Sequence, residues 1–380
     1  MENKTRNWNS CILYLFIYAP LGAVCPLISQ YLSSIGFTGT QVGAVTSVST
    51  AAAVLGGLVM GNVFANAKTK RLVVMLSLSL AAIGAVASMF TKGFIAFVII
   101  YSVLYFFQQP VQGFCDSIVI ENGKNYAIVR AFGAIGYAVS SYFAGLLADN
   151  KGLQVIFIVH AISSALGAIM VMVEKEPPHY VEKKEKVSTL ELFKSKEFVE
   201  LLICAFFVMG PIMGNNTYFG YLYRNAGGDV AGIGLCFMLM AGSESVVMLL
   251  LPLFKRKLST QKLIIVGLIV AMVRFAIFSF GPSTKVLIGT FFMQGIMDGI
   301  LLVEFVNYFE RLFEPRLANI SVSTYYAFGM NLSSIVTNMI GGIVLDAFSA
   351  QGVYVLFTLM STIAFLLYIC TGLARKKTAF

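Results

Sequence analysis

Apolar runs of about twenty residues or more, each closed by a polar break, follow one another along the whole chain. A helix needs about 20 apolar residues to cross the hydrocarbon core of a bilayer. Twelve such runs are present, at 8–34, 42–65, 72–90, 94–119, 127–148, 153–173, 198–223, 231–254, 263–282, 286–309, 318–345 and 353–373. The pattern predicts an all-α membrane protein with twelve transmembrane helices. The breaks are short except for "EKEPPHYVEKKEKVSTLELFKSKE", residues 174–197, which is charged, contains proline and divides the spans six and six. The expected organisation is an N-terminal six-helix bundle over 1–173, a linker over 174–197 and a C-terminal six-helix bundle over 198–380. Two such bundles are expected to face each other across a central cavity.

Composition supports the membrane assignment. Of 380 residues, 58% are hydrophobic and only 12% are charged, where a soluble domain carries about 25% charged residues. That leaves too little polar surface to cover a water-exposed globule. The six cysteines (Cys11, Cys25, Cys115, Cys204, Cys236 and Cys370) are scattered through apolar runs without a C-x-x-C motif, and read as small buried hydrophobes.

The net charge of +9 changes the picture only through its placement. Lysine and arginine gather in alternate short breaks, such as "NAKTKR" (66–71) and "KRKLSTQK" (255–262), and in the tail "ARKK" (374–377). Assigning alternate breaks to opposite sides puts 21 of the 27 basic residues on one side, together with both termini and the 174–197 linker, and four on the other. Both termini are therefore expected in the cytoplasm, in a multi-pass protein of the cell (inner) membrane. The same placement argues against a nucleic-acid partner. Lys4 and Arg6 precede an apolar run that imitates a signal peptide, but the run is too long and lacks a small-x-small cleavage site, so the N-terminus is expected to be retained.

Two arginines, Arg130 and Arg274, are left over for the helices. A cation at the bilayer centre costs about 2.5–3.5 kcal/mol on insertion scales, so partners are expected. Arg274 lies about 16 Å from the cytoplasmic end of the ninth span at 1.5 Å per residue. Glu244 in the eighth span and Asp298 in the tenth lie at about the same depth. A cation and two acids at one level are what a paired buried network requires. Arg274, Glu244 and Asp298 are therefore candidates for a functional network, and a purely structural counter-ion role for one acid remains open.

The N-terminal half carries milder polarity. Tyr101, Tyr105, Gln108 and Gln112 recur at i, i+4, i+7 and i+11 along the fourth span, a stripe on one helical face. In "VRAFGAIGY" the fifth span places Arg130, Ala134, Tyr137 and Ser141 on one face. Arg130 is about one turn inside the cytoplasmic end, where a snorkelling interfacial arginine is the other reading. Asn331, Ser334 and Asn338 mark a face of the eleventh span. Such stripes suit a neutral polyhydroxylated or heteroaromatic solute better than an inorganic ion. His160 is either a relay or a hydrogen-bonded packing residue. Small residues at GxxxG-like spacing, Gly57 with Gly61 and Gly133 with Gly136, support helix packing. No Gly-rich phosphate loop, zinc-ligand cluster or serine nucleophile elbow occurs, so neither enzymatic activity nor any cofactor or metal is expected.

"RAFGAIGY" (130–137), the thirty-residue spacing of Glu244 and Arg274, "FEPR" (313–316) and "GVY" (352–354) resemble the lactose-permease-like branch of the major facilitator superfamily, which includes oligosaccharide, nucleoside and phenylpropionate proton symporters. The resemblance covers nearly the whole chain. It implies that Arg130 contacts substrate and that Tyr137 stands where that branch stacks an aromatic ring on a sugar. There are departures. The fourth-helix acid that pairs with the arginine appears as Gln112, the tenth-helix His and Glu appear as Gln294 and Met297, and Ala65 replaces the usual Asp in "GNVFANAKTKR" (61–71). The proton symport that the resemblance implies makes Asp298, Glu244 and Arg274 the proton-coupling candidates: Asp298, one position beyond Met297, is the expected carrier, Glu244 is its alternative, and movement of Arg274 can switch the protonation of a buried carboxylate.

The expected function is secondary active transport: proton-coupled import of a small organic solute such as a sugar or glycoside, by a monomer in the lipid bilayer. The substrate-binding candidates are Arg130, Tyr137, Gln112, Tyr105, Gln108, Glu244, Gln294 and Asn331. Other readings are a permease for aromatic acids or nucleosides, a drug exporter, or a non-transporting sensor on a transporter fold.

Overall fold

The computed structural model describes residues 2–176 and 189–374, with side chains from Trp8 onward. Lys4, Arg6, linker residues 177–188 with His179 among them, and the tail residues Arg375, Lys376 and Lys377 therefore have no described side-chain positions. The described residues are helical throughout. In chain order the helices are α1 (Glu2–Val24), α2 (Ile28–Ser34), α3 (Gly39–Asn66), α4 (Lys70–Phe90), α5 (Phe94–Gln108), α6 (Val111–Glu121), α7 (Tyr126–Lys151) and α8 (Val155–Val173). After a short 3-10 turn (Thr189–Lys194) come α9 (Lys196–Asn225), α10 (Val230–Lys255), α11 (Thr260–Ser279), α12 (Thr284–Gly289), α13 (Phe291–Arg311), α14 (Pro315–Thr324), a π-helical segment (Tyr325–Leu332), α15 (Ser333–Ala347) and α16 (Ala350–Cys370).

Eleven of these stretches are long and apolar enough to cross a membrane, and the bent pair α1 and α2 brings the number to twelve. Each corresponds to one of the apolar runs. Their starts follow local chemistry. Thr38 and Gln41 form a reciprocal capping box at the head of α3, and Asn125, Ser195, Ser259 and Ser349 cap α7, α9, α11 and α16 by accepting a backbone amide. These caps satisfy amides that a helix leaves orphaned at its start. Breaks inside spans fall beside Pro26 and Pro110, where proline removes a backbone donor. The break at Thr290, between α12 and α13, has no proline. Large apolar side chains such as Leu58, Ile83, Ile99, Ile169 and Leu249 are exposed, the outward face that lipid rather than water would cover.

The helices pack as two compact units. The first takes residues 2–176 together with Gly228–Ala241, and the second takes 189–227 with 242–374. Within the first, α1 lies against α7 at backbone distance. A Cβ on Gly22 would fall 2.3 Å from the Tyr137 carbonyl oxygen, and one on Gly136 would fall 2.4 Å from that of Leu15. The start of α10 belongs to this unit, with Gly234 meeting Ser141 on α7 just as closely. The small-residue reading of the fifth span thus fits, but that of the second span shifts by one position. Gly57 and Gly61 face open space, whereas a Cβ on Gly56 would lie 2.1 Å from the carbonyl oxygen of Phe106. Spacing alone could not choose among three glycines offset by one or five positions on the same helix.

One end of the first unit is tied by ions. Lys124, in the α6–α7 turn, pairs with Glu174 at the end of α8; both side chains are almost wholly buried, at 4% and 1% exposed. Ser10 joins them, accepting from Lys124 Nζ at 2.6 Å and donating to Glu174 at 2.7 Å. Beside this group Lys70 pairs with Glu121 and Arg71 with Glu176, each at 2.8 Å.

Candidate functional site

In the second unit, of the polar residues singled out from the sequence, Asp298 and Arg274 act electrostatically on each other; Arg274 is the more deeply buried. This side chain is 0% exposed. Its guanidinium lies 4.3 Å from the ring centre of Phe278 and 4.9 Å from that of Phe291, so part of the lost hydration is replaced by cation–π attraction. Its Nε–H donates to the Thr290 carbonyl at 3.3 Å, the same oxygen that takes the amide of Met293 at 3.0 Å. The break between α12 and α13 thus supplies an acceptor for a buried cation. Irregular backbone at membrane depth is tolerated when it is buried in protein in this way.

Asp298, on α13, is 5% exposed and accepts from Gln294 Nε2 at 2.8 Å. Both Glu244 and Arg274 act electrostatically on its carboxyl group. Glycine brings α10 and α13 together here. A Cβ on Gly295 would meet Ser243 Oγ at 2.0 Å and the Glu244 amide at 2.5 Å, and one on Gly299 would meet the Val247 side chain at 3.0 Å. The "GIMDG" stretch therefore does two things: its ends let α10 approach, and Asp298 lies between them. Gly295→Ala is expected to destabilise the protein by about 1–3 kcal/mol through overpacking. Thermal unfolding in detergent checks this, and an unchanged midpoint would mean that α10 and α13 are not in backbone contact.

Asn331 falls in the π-helical segment and is half-buried, while Ser334 and Asn338 are buried farther along. Asn338 Nδ2 donates to Ser334 Oγ at 3.2 Å, and Tyr218 on α9 donates to the Asn338 carbonyl. The shared-face reading assumed α-periodicity, which the π segment interrupts.

In the first unit the candidates fall into separate groups. Tyr105 touches Cys25 Sγ at 3.5 Å, beside the α1–α2 break, and takes a hydrogen bond from Tyr101 at 3.2 Å. Gln108 is fully buried, its Oε1 accepting from Ser164 at 3.4 Å, and Ser164 in turn lies 3.4 Å from His160 Nδ1. Gln112 and Tyr137 are half-buried on α6 and α7. Arg130 stands over the ring of Tyr18, 4.4 Å from its centre. Around it are three residues the sequence reading did not assign to the site: Tyr14, Asp116 and Tyr126. The available signals were the i, i+4 spacing of Tyr14 with Tyr18 and of Gln112 with Asp116. Among the described residues, no group of His, Cys, Asp and Glu could hold a metal ion.

The model of the MFS_1 like family matches residues 7–356. The chain belongs to that family. It is a multi-pass membrane transporter of the major facilitator type. One curated relative, the maltose permease of Geobacillus stearothermophilus, is 26% identical over 97% of this chain and 95% of its own length. In fold the chain is similar to a crystal structure of the nucleoside transporter NupG, with TM-score 0.88, 16% identity and coverage of 97% of this chain and 100% of that one. It is also similar to the D-xylose-proton symporter, with TM-score 0.72, 12% identity and 96% coverage of both chains.

Proposed function

We propose that this major facilitator protein imports a neutral glycoside-type solute by proton symport, as a monomer in the cell (inner) membrane with both termini cytoplasmic and its helices divided six and six about the 174–197 linker. The observation that carries this reading is the nearly end-to-end likeness to a maltose permease. The chemistry of the candidate residues supports it. Each unit by itself offers such chemistry: Gln112 and Tyr137 in the first, and Gln294 and Asn331 in the second, have amide or phenol groups suited to hydroxyls, and within each unit the arginine lies near an acid, Arg130 by Asp116 and Arg274 by Asp298. An uncharged polar solute fits such a set. Asp298, with Glu244 and Arg274 acting on it, is the proton carrier in this reading.

The test is uptake of labelled maltose and uridine into proteoliposomes under an imposed inward proton gradient. Accumulation of maltose above the external level supports the proposal. Accumulation of uridine alone would transfer the site to the nucleoside class, and failure of both would remove the glycoside reading.

Tyr137 gives a sharper check on the sugar platform. Tyr137→Phe keeps the ring and should weaken binding only a few-fold, whereas Tyr137→Ala should nearly abolish it, because ring stacking and buried area are both lost. Equal, mild effects in equilibrium binding would count against an aromatic platform.

A further inference from the structure

The Arg130 group has an acid that neither the stripe on the fourth span nor the family pattern assigns. Tyr14 on α1 donates to Asp116 Oδ1 on α6. The rings of Tyr14 and Tyr18 are stacked with centres 6.0 Å apart, and Arg130 on α7 covers Tyr18 at 4.4 Å. Tyr126 interacts with both Asp116 and Arg130, and the guanidinium acts electrostatically on the carboxyl group. The five residues form one cluster drawn from α1, α6 and α7. Asp116 lies one helical turn beyond Gln112 on the same face of α6, so an acid is present near Arg130 although Gln112 itself is neutral.

We propose that Asp116 is a specificity-determining residue: it offsets the charge of Arg130 and so makes this half of the transporter accept uncharged solutes and refuse carboxylated ones. This rests on the reading of Arg130 as a solute-contacting group. The physical basis is simple. An arginine whose charge is already matched offers hydrogen bonds to a hydroxyl-rich ligand without a net field, whereas an unmatched one selects anions. Asp116 is a positioning residue here; it acts through Arg130. Asp116→Asn keeps the shape and an oxygen that accepts from Tyr14, and removes only the charge.

The experiment uses the full-length protein in detergent as wild type, Asp116→Asn, Asp116→Glu and, as a second neutral variant, Asp116→Ser. Arg130 is labelled with phenylglyoxal, and its modification is followed on its own peptide by mass spectrometry, with and without sodium glucuronate as competitor. Glucuronate is expected to leave wild-type labelling unchanged, to protect Arg130 in the Asn and Ser variants, and to lose that effect again in Asp116→Glu. In parallel, the affinity ratio of p-nitrophenyl glucuronide to p-nitrophenyl glucoside is expected to rise by about tenfold or more in the neutral variants. Protection of wild type equal to that of Asp116→Asn overturns the proposal. So does loss of glucoside binding without any gain for the anion, which is what a purely structural role predicts. If wild type binds neither glycoside, the glycoside reading fails, and the glucuronate protection at Arg130 still decides the role of Asp116.

Discussion

Proteoliposomes carrying Asp298→Asn should no longer accumulate solute in response to a proton gradient, while exchange of internal for external solute continues. Asn is close to Asp in size and keeps an oxygen for the Gln294 amide that Asp298 accepts at 2.8 Å, so the substitution removes protonation with little else. Symport requires a carboxyl group whose charge follows the position of a neighbouring cation, because burial disfavours the charged form and an adjacent guanidinium favours it. Asp298 meets the geometric conditions: it is nearly inaccessible, and it lies under the influence of both Arg274 and Glu244. Net accumulation should fall to the equilibrium level, whereas exchange, which needs no net proton turnover, should stay close to wild type. Glu244→Gln is the matched comparison. If the Asp298 variant still concentrates solute and the Glu244 variant does not, Glu244 carries the proton and Asp298 is a counter-ion of Arg274.

Lys124→Ala should be the most destabilising single change at the tied end of the first unit, lowering stability by about 3–5 kcal/mol. The lysine side chain is 4% exposed and that of its partner Glu174 is 1% exposed, so removing the lysine leaves a buried carboxylate that keeps its hydrogen bond from Ser10 but loses its counter-charge. The exposed Lys196–Glu200 pair is the contrast. It spans 3.7 Å with its lysine 88% exposed, and Lys196→Ala should change stability by less than about 1 kcal/mol. Thermal unfolding of the two variants side by side tests the difference. Lys124→Ala combined with Glu174→Gln should recover part of the loss, because the unpaired charge is then gone. Equal midpoints for both single variants would show that the buried pair is exchanged for solvent at little cost.

Twelve spans could be read from the sequence because lipid imposes the same requirement on each: a helix of about twenty apolar residues with its backbone satisfied internally. The breaks at Pro26 and Pro110 carried a visible signal in proline. At the break by Thr290 and in the π segment at Tyr325–Leu332 the sequence offers only Gly289 and Gly329, and a lone glycine inside a helical pattern is a weak signal. Arg274, Glu244 and Asp298 could be read as a group because charge at membrane depth is costly and needs company. Their supports could not. Phe278 and Phe291 look like any other apolar residues until the helices are placed, and Gly295 and Gly299 are two glycines among 34. Asp116 did not stand out, because depth read along one helix does not show which other helices meet it. Tyr14 and Tyr126, which meet it, come from two others.

The π-helical segment has a consequence for what length changes the chain can absorb. In an α-helix each residue turns the chain by about 100° and advances it by 1.5 Å, and a π turn is a place where one extra residue has been accommodated without unwinding the rest. Removing a single residue from Tyr325–Leu332 could therefore be taken up by relaxation to α-helix, leaving the bonds from Ser333 to the Phe206 carbonyl and from Tyr218 to the Asn338 carbonyl in place. The same deletion a few residues later, inside α15, would rotate every downstream side chain to a new face. The eleventh span thus holds a spare residue at one defined place, and a one-codon deletion there is tolerated on different terms from its neighbours.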